Sequence, residues 1–374
     1  MKLLIAFGTR PEVIKLAPVI AQAQRRADDV QLVVCSTGQH REMLEQAMQV
    51  FGVRPDVELA VMRPDQTLPA LTARLIEGMS DAITTHKPDA VIVQGDTTSA
   101  FAAALAAFYQ QVPVAHVEAG LRTGDLASPF PEELNRVLVG RMARWHFPPT
   151  PAAAANLLRE GVAPGAITVT GNTVVDAIGM VRTRWAGGTP AAMADPFPGK
   201  DLVLVTAHRR ENHGPALLQI CAALRELCGL HPELGFVFPV HLNPRVREVV
   251  LAELGGIANL QLTAPVDFEG SLWLQSRSCL VITDSGGIQE EAPSFGLPAV
   301  VMREHTERSE GIDAGFATLA GTITQAIVQA AQAWLLMPNL RTALARKANP
   351  YGDGMASQRI VATLLGEPVE GFHG

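Results

Sequence analysis

Three acidic residues in the first half of the chain are candidates for proton transfer. Asp96 and Glu118 each follow an apolar run, in VIVQGD and VPVAHVE, and Glu132 lies in PFPEELNR. Carboxylates packed close together raise one another's pKa and divide into proton donor and proton acceptor. Glu132 and Arg136 are four residues apart, so a helix would place them on one face. Together these residues predict an acid–base site. The alternatives are an N-cap role for Asp96 and a surface ion pair between Glu132 and Arg136.

The segment FGTRPEVIK is typical of an anion site at the start of a helix. Gly8 permits a tight turn, and Pro11 suits the first helical position. Arg10 then lies where free backbone amides and the helix dipole already favour an anion. The segment predicts a phosphate site, with a solvent-facing loop arginine as the alternative. It lacks the GxGxxG fingerprint, so it offers no evident place for a nicotinamide cofactor.

The segment VITDSGGIQEEA predicts a second anion loop. Ser285, Gly286 and Gly287 follow an apolar run and begin a helical segment. Their backbone amides and the serine hydroxyl can bind a diphosphate. Of the two glutamates that follow, Glu290 and Glu291, one could simply stabilise the helix dipole. We favour Glu291 for two hydrogen bonds with a ribose, because it lies one turn beyond the phosphate loop.

Two histidines also close apolar runs, in VTAHRREN and FPVHLNP. His208 and His241 thus occupy equivalent strand-end positions in the second half, which favours ligand contact over two buried structural histidines. Three arginines add positive charge for phosphates, or are solvated: Arg209, Arg210 and Arg308.

Short apolar runs alternate with longer helical patterns along the whole chain, which predicts parallel sheets covered on both faces. A segment rich in Gly, Pro and Ala interrupts this rhythm near residue 190. We predict two Rossmann-like, doubly wound α/β domains, over residues 1–170 and 171–354. In open parallel sheets, ligands bind beyond the C-terminal ends of the strands. Two such domains predict an interdomain cleft lined by the residues above.

Composition excludes several classes of protein. The chain has 374 residues, 48% of them hydrophobic, and a net charge of −7. A basic stripe for nucleic acid and an apolar run long enough for a membrane span are both missing. The four cysteines include no CxxC pair, so they predict reduced, buried thiols with no disulfide framework and no zinc site. We expect a cytoplasmic protein without a metal.

Ten motifs together resemble the bacterial non-hydrolysing UDP-N-acetylglucosamine 2-epimerases, from Lys2 to about Arg359. They are FGTRPEVIKLAP, TGQHREML, GDTT, HVEAGLRTGDLASPFPEELNR, TGNTVVDA, AHRREN, PVHLNP, TDSGGIQEEAPSFGLP, TERSEG and NPYGDG. The resemblance implies a glycosyltransferase-B fold in which a C-terminal helix, about residues 355–374, crosses back to the first domain. It also implies a cytoplasmic homodimer that uses neither a metal nor a nicotinamide cofactor and makes UDP-N-acetylmannosamine for surface polysaccharides.

The resemblance also implies a mechanism. UDP leaves C1 as the C2 proton is removed, which forms 2-acetamidoglucal, and UDP then returns while a proton reaches the opposite face of C2. The implied catalytic residues are Asp96, Glu118, Glu132 and His208. The implied substrate-binding residues are Arg10, Lys15, Arg136, His241, Ser271, Ser285, Gly286, Gly287, Glu291 and Arg308.

Relatives of this kind use the substrate as an allosteric activator, and the GQH stretch matches that region. Gln39 and His40 are therefore the implied allosteric contacts. Where some relatives carry an arginine nearby, this chain has Asp65.

A second departure concerns the uracil. Relatives often place an aromatic residue where this chain has Ser271. A base–aromatic stack is worth about 1–3 kcal/mol in nucleic-acid sites. We therefore expect either weaker UDP affinity or a substitute ring from Phe268 or Trp273.

Three other functions fit parts of this pattern. A hydrolysing 2-epimerase would let water capture the intermediate and release N-acetylmannosamine and UDP. A retaining glycosyltransferase would need an acceptor and has less use for three clustered acids. A UDP-sugar sensor would bind the same ligand without needing Asp96 or Glu118.

Overall fold

The structure, a computed structural model, describes residues 1–38, 41–63, 66–185, 195–209, 212 and 214–374. The chain forms two compact units. The first contains Met1–Met180 together with Tyr351–Gly374, and the second contains Val181–Pro350.

The first unit is built on a six-stranded parallel sheet with the order β3-β2-β1-β4-β5-β6. Its strands are β1 (Lys2–Phe7), β2 (Gln31–Ser36), β3 (Val57–Glu58), β4 (Ala90–Gln94), β5 (Val114–Val117) and β6 (Ala143–Phe147). The central strands β1 and β4 are buried almost throughout, as their continuous apolar character requires.

Helices of the first unit lie in two groups, consistent with a layer on each face of the sheet. In chain order they are α1 (Arg10–Arg25), α2 (Arg41–Phe51), α3 (Leu68–His86), α4 (Thr98–Tyr109), α5 (Glu132–Met142), α6 (Pro151–Arg159) and α7 (Thr173–Trp185). Helices α1 and α2 pack together, and α4 packs against both α3 and α5. The boundary between the units lies at residue 180, within α7, whereas the sequence analysis placed it at residue 170.

The second unit repeats the same plan. Its strands are β7 (Leu202–Thr206), β8 (Gly235–Pro239), β9 (Leu260–Thr263), β10 (Ser278–Thr283), β11 (Ala299–Val301) and β12 (Ala317–Leu319). Its helices are α8 (Pro215–Leu230), α9 (Pro244–Leu254), α10 (Phe268–Arg277), α11 (Gly286–Glu291), α12 (Ser309–Asp313), α13 (Thr324–Leu335) and α14 (Leu340–Ala345). The strand order β12-β11-β10-β7-β8-β9 is that of the first sheet, since β7 and β10 correspond to β1 and β4.

Both sheets have the doubly wound order, which confirms the predicted pair of Rossmann-like, parallel-sheet units. In this order the direction of winding reverses between β1 and β4, and again between β7 and β10. A crevice opens at such a point beyond the carboxyl ends of the strands, and ligands of doubly wound proteins bind there. The loops after these four strands are therefore where a site is expected.

The end of the chain returns to the first unit through a short helix, α15 (Ala356–Leu364). The carboxylate of Asp176 caps this helix: it accepts hydrogen bonds from the backbone N–H of Ser357 (2.8 Å) and from its hydroxyl (2.6 Å). The motifs TGNTVVDA and NPYGDG meet here, because Asn172 N donates a hydrogen bond to the carbonyl of Tyr351 at 2.6 Å. The predicted helix over 355–374 was too long, because it ends at Leu364 and Phe372 then bonds to the backbone of Val169. Of the described helices, none combines the length and the apolar character that a membrane span needs.

Candidate active site

Glu118 follows β5, and its carboxylate lies beside a lysine. Lys15 Nζ, on α1, is 2.5 Å from Glu118 Oε2, and both side chains are only 10% exposed. Gln94, the last residue of β4, donates a hydrogen bond from Nε2 to the same oxygen at 2.7 Å. A nearby cation and a donor both favour the ionised form of a carboxylate. The structure thus brings together two of the residues that the sequence analysis named, Lys15 and Glu118.

The backbone at Glu118 is in the left-handed region, with a φ of +62°. Residues other than glycine rarely adopt this region, and such strain is concentrated at functional sites. The Glu118 N–H donates a hydrogen bond to the carbonyl of Phe147, the last residue of β6, at 3.0 Å. This contact holds the turn in place, so the strained backbone fixes the direction in which the carboxylate leaves the sheet.

Asp96 follows β4 and is paired with an arginine of α5. Arg136 Nη2 is 2.7 Å from Asp96 Oδ2, and the arginine side chain is 6% exposed while that of Asp96 is 29% exposed. The cap interpretation of Asp96 was wrong, because the N-cap of α4 is the next residue, Thr97, whose Oγ1 accepts from Ala100 N at 3.0 Å. Asp96 thus acts as the partner of Arg136 and not as the cap of α4.

Arg136 does not form the surface ion pair with Glu132 that their spacing offered as an alternative. Its charged contacts are Asp96 and Glu133 Oε2, the latter at 3.5 Å. The helix turns Arg136 inward to the end of β4, where its neighbour Asn135 also donates to the Asp96 carbonyl at 2.9 Å. Glu132 is half-buried and has no hydrogen-bond partner among the described residues.

Three buried side chains that the sequence analysis did not name hold these turns. Glu12 is 1% exposed and bonds to Gly8, Thr9 and Thr97. Burial lowers the pKa of His116 to about 3, so its ring is neutral and Nε2 donates to the carbonyl of Gly95 at 2.8 Å. The third is Glu133, which accepts from the backbone of the loop after β5. The clearest sequence signal was for Glu12, which lies three residues after Thr9 as in a capping box.

Arg10 is the first residue of α1, at the carboxyl end of β1. It is half-buried and makes no ion pair within the part of the chain that the structure describes. A cation at a helix N-terminus is unfavourable in the field of the dipole unless an anion accompanies it. The position therefore fits an anion ligand.

In the second unit, a fully buried carboxylate organises the loop after β7. Asp284, at the end of β10, accepts hydrogen bonds from the backbone N–H of His208 and of Arg209, both at 2.9 Å, and from Asn212 Nδ2 at 2.9 Å. Burial opposes its ionisation, but the bond to His208 and the backbone amides outweigh it and lower the pKa of Asp284. The contact of Asp284 Oδ1 with His208 Nδ1, at 3.1 Å, leaves Nε2 of this half-exposed ring for a ligand.

The predicted diphosphate loop forms the start of α11. Ser285 is its N-cap, and Ser285 Oγ accepts from Ile288 N at 3.5 Å. A Cβ at Gly286 would lie 2.6 Å from the guanidinium carbon of Arg308, so the absence of a side chain lets this cation lie against the loop backbone. Backbone amides, a hydroxyl and a guanidinium together form a setting suited to phosphate oxygens.

Two glutamates hold Arg308. Its Nε is 2.8 Å from Glu290 Oε1, and its Nη1 is 2.5 Å from Glu307 Oε1. Burial opposes ionisation of Glu307, yet Arg308 and Arg303 outweigh it and lower the pKa of Glu307 to about 2. Glu290 is therefore engaged with an arginine and does not act only on the helix dipole.

Glu291 has different neighbours. Gln275, which is fully buried, donates from Nε2 to Glu291 Oε2 at 2.6 Å and to Ser271 Oγ at 3.3 Å. The two expected substitutes for an aromatic at position 271, Phe268 and Trp273, are 5% and 7% exposed. Trp273 packs in the apolar core, since α10 turns it toward the sheet.

The remaining predicted residues are more peripheral or lie outside the described part of the chain. His241 is exposed, and its Nδ1 accepts from Asn243 N at 3.1 Å. Gln39, His40, Asp65 and Arg210 lie outside the described residues. Within the described part, no group of three or more His, Cys, Asp or Glu side chains could hold a metal ion.

Comparison with known proteins adds the family. The family model described as UDP-N-acetylglucosamine 2-epimerase matches residues 22–365. The chain is 48% identical over 370 residues to the UDP-N-acetylglucosamine 2-epimerase of Escherichia coli (strain K12), covering 97% of this chain and 98% of that one.

Comparison with solved structures points to the same family. The UDP-GlcNAc 2-epimerase from Neisseria meningitidis bound to UDP-GlcNAc has 43% identity and a TM-score of 0.92, over 98% of this chain and 100% of that one. The S. aureus MnaA–UDP co-structure has 41% identity and a TM-score of 0.88, over 100% and 99%. The glycotransferase of kitacinnamycin, at 13% identity and a TM-score of 0.62 over 97% and 99%, is similar in fold alone. The predicted glycosyltransferase-B fold is thereby confirmed.

Proposed function

This chain belongs to the UDP-N-acetylglucosamine 2-epimerase family, and on that premise we propose that it interconverts UDP-N-acetylglucosamine and UDP-N-acetylmannosamine without hydrolysis. The observation that carries the proposal is the pair of carboxylate–cation contacts at the strand ends of the first unit, Lys15 with Glu118 and Arg136 with Asp96. Both carboxylates lie where a doubly wound unit binds its ligand. The product would supply a precursor for surface polysaccharides.

The chemistry explains why such carboxylates are needed. The proton at C2 of the sugar has no adjacent carbonyl, so its direct removal would be difficult. In the proposed reaction a base takes this proton, the C2–H electron pair forms a C1=C2 double bond, and the C1–O bond breaks with its electrons on UDP. In the reverse step UDP oxygen attacks C1 while an acid protonates C2 from the other face. The intermediate is 2-acetamidoglucal, and the net change is inversion at C2.

In the first unit, Asp96, Glu118 and Glu132 carry the proton transfers. Lys15 and Arg136 pair with two of these carboxylates and fix their direction. Positioned acids and bases of this kind typically contribute about 10²–10⁴-fold in rate. Arg10, at the N-terminus of α1, contributes positive charge for the phosphates.

In the second unit, the proposed ligand is UDP. The amides of Gly286 and Gly287, the Ser285 hydroxyl and Arg308 bind the diphosphate, which gains negative charge as it departs. His208, oriented by Asp284, contacts the diphosphate or the sugar. Glu291 accepts hydrogen bonds from the ribose, and His241 and Ser271 complete the proposed UDP contacts.

The decisive experiment uses D2O and no acceptor. The protein is incubated with UDP-N-acetylglucosamine, and the products are followed by NMR. The proposal expects both UDP-sugars, each carrying deuterium at C2. Free N-acetylmannosamine with UDP would identify a hydrolysing enzyme instead, and the absence of exchange would indicate a transferase or a UDP-sugar sensor. Asp96→Asn and Glu118→Gln should abolish the exchange, whereas Glu77→Gln, which removes an exposed carboxylate of α3, serves as the matched control.

We also propose a homodimer, which rests on the family and on an apolar surface of the first unit. Helices α4 and α5 pack together and expose Phe108, Tyr109, Leu134 and Leu138. Exposed apolar patches of this kind mark association surfaces. The double variant Leu134→Glu with Leu138→Glu should lower the molar mass in solution by half. Leu251→Glu, an exposed leucine of the second unit, is the control, and a monomeric wild type would refute the proposal.

Activation by substrate remains part of the proposal, with Gln39 and His40 as its contacts. Gln39→Ala and His40→Ala should change the dependence of rate on substrate concentration from sigmoidal to hyperbolic. A hyperbolic dependence in the wild type would contradict it.

A further inference from the structure

The buried carboxylate of Glu12 has no part in the proposed chemistry, yet it contacts the loops that follow β1 and β4, the two central strands of the first unit. It lies in the first turn of α1 and is 1% exposed. Glu12 Oε2 accepts hydrogen bonds from the backbone N–H of Gly8 (3.0 Å) and of Thr9 (2.8 Å). Glu12 Oε1 accepts a third from Thr97 Oγ1 at 2.8 Å.

A capping box explains the contact with Thr9 but not the one with Thr97. In a capping box, a glutamate at the third helical position binds the N-cap N–H of its own helix. Thr97 belongs to another helix: it is the N-cap of α4, and its Oγ1 already accepts from Ala100 N at 3.0 Å. The hydroxyl proton of Thr97 is therefore committed to Glu12, and one carboxylate joins two loops.

These two loops carry proposed site residues. Arg10 directly follows Thr9, and Asp96 directly precedes Thr97. The packing around them leaves little space, because a Cβ at Gly8 would overlap the hydroxyls of Thr37 and Ser99. A change in the contact between Glu12 and Thr97 would thus be transmitted to the backbone on either side.

We propose that Glu12 is a positioning residue of the epimerase site, which holds the Arg10 loop and the Asp96 turn at one fixed spacing. The inference rests on the proposed function, since it takes Asp96 as a proton-transfer group and Arg10 as a phosphate ligand. Glu12 itself acts through the backbone and through Thr97 and transfers no proton to the substrate.

The burial of Glu12 supports this role. Burial raises the pKa of Glu12 to about 7, against the opposing effect of its hydrogen bonds with Thr97, Thr9 and Gly8. A capping-box glutamate can lie at the surface without such a cost, because its backbone partners are accessible there. At this position, the buried location allows the carboxylate to make a contact beyond the capping box, the hydrogen bond from Thr97.

The first test compares two substitutions of Glu12. Glu12→Ala removes all three acceptors and should lower kcat about 10- to 100-fold, since small misplacements of reacting groups have effects of this size. KM for UDP-N-acetylglucosamine should change less than kcat. Glu12→Gln keeps one oxygen for the two backbone amides and should recover most of the activity. A folded Glu12→Ala variant with wild-type kcat would overturn the inference.

A double-mutant cycle tests whether the effect passes through Thr97. Thr97→Val removes the hydroxyl, and Thr97→Ser keeps it. The losses in kcat for Glu12→Ala and Thr97→Val should be strongly non-additive, because either change breaks the same contact. Thr150→Val is the matched control: Thr150 Oγ1 caps α6 by accepting from Ala153 N at 3.2 Å. Its loss should lower stability and leave kcat unchanged, and additive losses for the first pair would refute the role of Thr97.

Hydrogen exchange provides a readout that does not depend on activity. In Thr97→Val and in Glu12→Ala, the amides of residues 8–9 and of residues 97–100 should lose protection together. Loss confined to residues 97–100 in Thr97→Val would show two independent caps and overturn the inference. If the wild type does not epimerise its substrate, the proposed function fails, whereas joint loss of protection would still show that Glu12 joins the two loops. Thr97→Val leaves the capping box of α1 intact. This variant therefore tests whether Glu12 joins the two loops even if Glu12→Ala does not fold.

Discussion

The ends of β1 and β4 in the first unit correspond to the ends of β7 and β10 in the second, yet the two places carry different chemistry. In the first unit, Asp96 after β4 pairs with Arg136, and Lys15 of α1, the helix after β1, pairs with Glu118 at the end of the neighbouring strand β5. The second has a glycine turn against which Arg308 lies. The same strand order thus places loops suited to proton transfer in one unit and to anion binding in the other. The fold supplies the position, and the side chains decide the chemistry.

Each unit also has a buried carboxylate that joins the loops after its two central strands. In the first unit this carboxylate follows the first of the two strands in the chain, and in the second unit it follows the second. Glu12 follows β1 and reaches the turn after β4, whereas Asp284 follows β10 and reaches the loop after β7. Burial dominates at Glu12 and raises its pKa, because its donors are neutral hydroxyls and amides. At Asp284 the same burial is outweighed, because a histidine ring is among the donors. These two cases indicate that a charged or ionisable partner decides whether the pKa of a buried carboxylate is raised or lowered.

The largest expected effect separates the two units by kinetics. Asp96→Asn and Glu118→Gln should lower kcat about 10²–10⁴-fold, because each removes a proposed proton-transfer group. Ser285→Ala should instead raise KM with a smaller change in kcat, because Ser285 is a proposed ligand of the diphosphate. Steady-state kinetics on the purified variants measures both. Equal effects on kcat in both units would break the comparison.

The next largest effect concerns Asp284. Asp284→Ala leaves several donors without an acceptor in a fully buried place, which should lower the free energy of unfolding by about 3 kcal/mol. Urea denaturation measures this change, with Asp267→Ala, which removes an ordinary N-cap from α10, as the control. The control should lose about 1 kcal/mol. Equal losses would show that Asp284 is only a cap.

The two buried carboxylates should respond to pH with opposite signs. The folded-state pKa of Glu12 is about 7, above the usual 4.5, so its contribution to stability is fully present below pH 4.5 and is lost as the pH rises through 7. Glu12→Gln cannot titrate, and its stability relative to wild type should rise by about 3 kcal/mol across this window.

Asp284 is the contrasting case and the control. Its pKa lies below the usual 3.8, so its contribution is present above that value and is lost as the pH falls through its folded-state pKa. Asp284→Asn should leave the slope of stability between pH 4.5 and 7 unchanged. Urea unfolding at a series of pH values measures both variants, and a slope unaffected by Glu12→Gln would contradict the assignment.

A smaller effect is expected at the glycine turn. Gly286→Ala would place a methyl group 2.6 Å from the guanidinium carbon of Arg308 and displace it. Overpacking of this kind typically costs about 1–3 kcal/mol, and here we expect the loss chiefly in UDP affinity. Titration calorimetry with UDP measures it. Gly165→Ala, at a position in the first unit with open space for a Cβ, is the control.

The smallest expected effect is at Ser271. Ser271→Phe should increase UDP affinity, at the lower end of the ~1–3 kcal/mol of a base–aromatic stack. Ser271→Ala, which loses the hydroxyl without gaining a ring, should not. Calorimetry with UDP distinguishes them, and equal affinity for wild type and Ser271→Phe would contradict the expectation.

Particular residues show which features of the site could be predicted from the sequence. The position of Glu118 after a buried strand, and of Ser285 at a strand-to-helix turn, followed from local patterns and the structure places both there. The residues that contact Glu118 and Ser285 in space could not be derived from local sequence patterns. Lys15 and Glu118 are 103 residues apart in the chain, and nothing local indicates their contact. Spacing offered Glu132 as the partner of Arg136, but the inward turn of α5 gave it Asp96 and Glu133.

The sequence by itself determined the alternation of strands and helices, the doubly wound units and the edge of each sheet where polar residues collect. It could do so because hydrophobic periodicity and turn residues act over a few neighbouring positions. Only the tertiary structure decided which charges meet, which rings are buried and which carboxylate joins two loops. Those outcomes depend on contacts between distant segments and on desolvation, and neither is a property of any short stretch of chain.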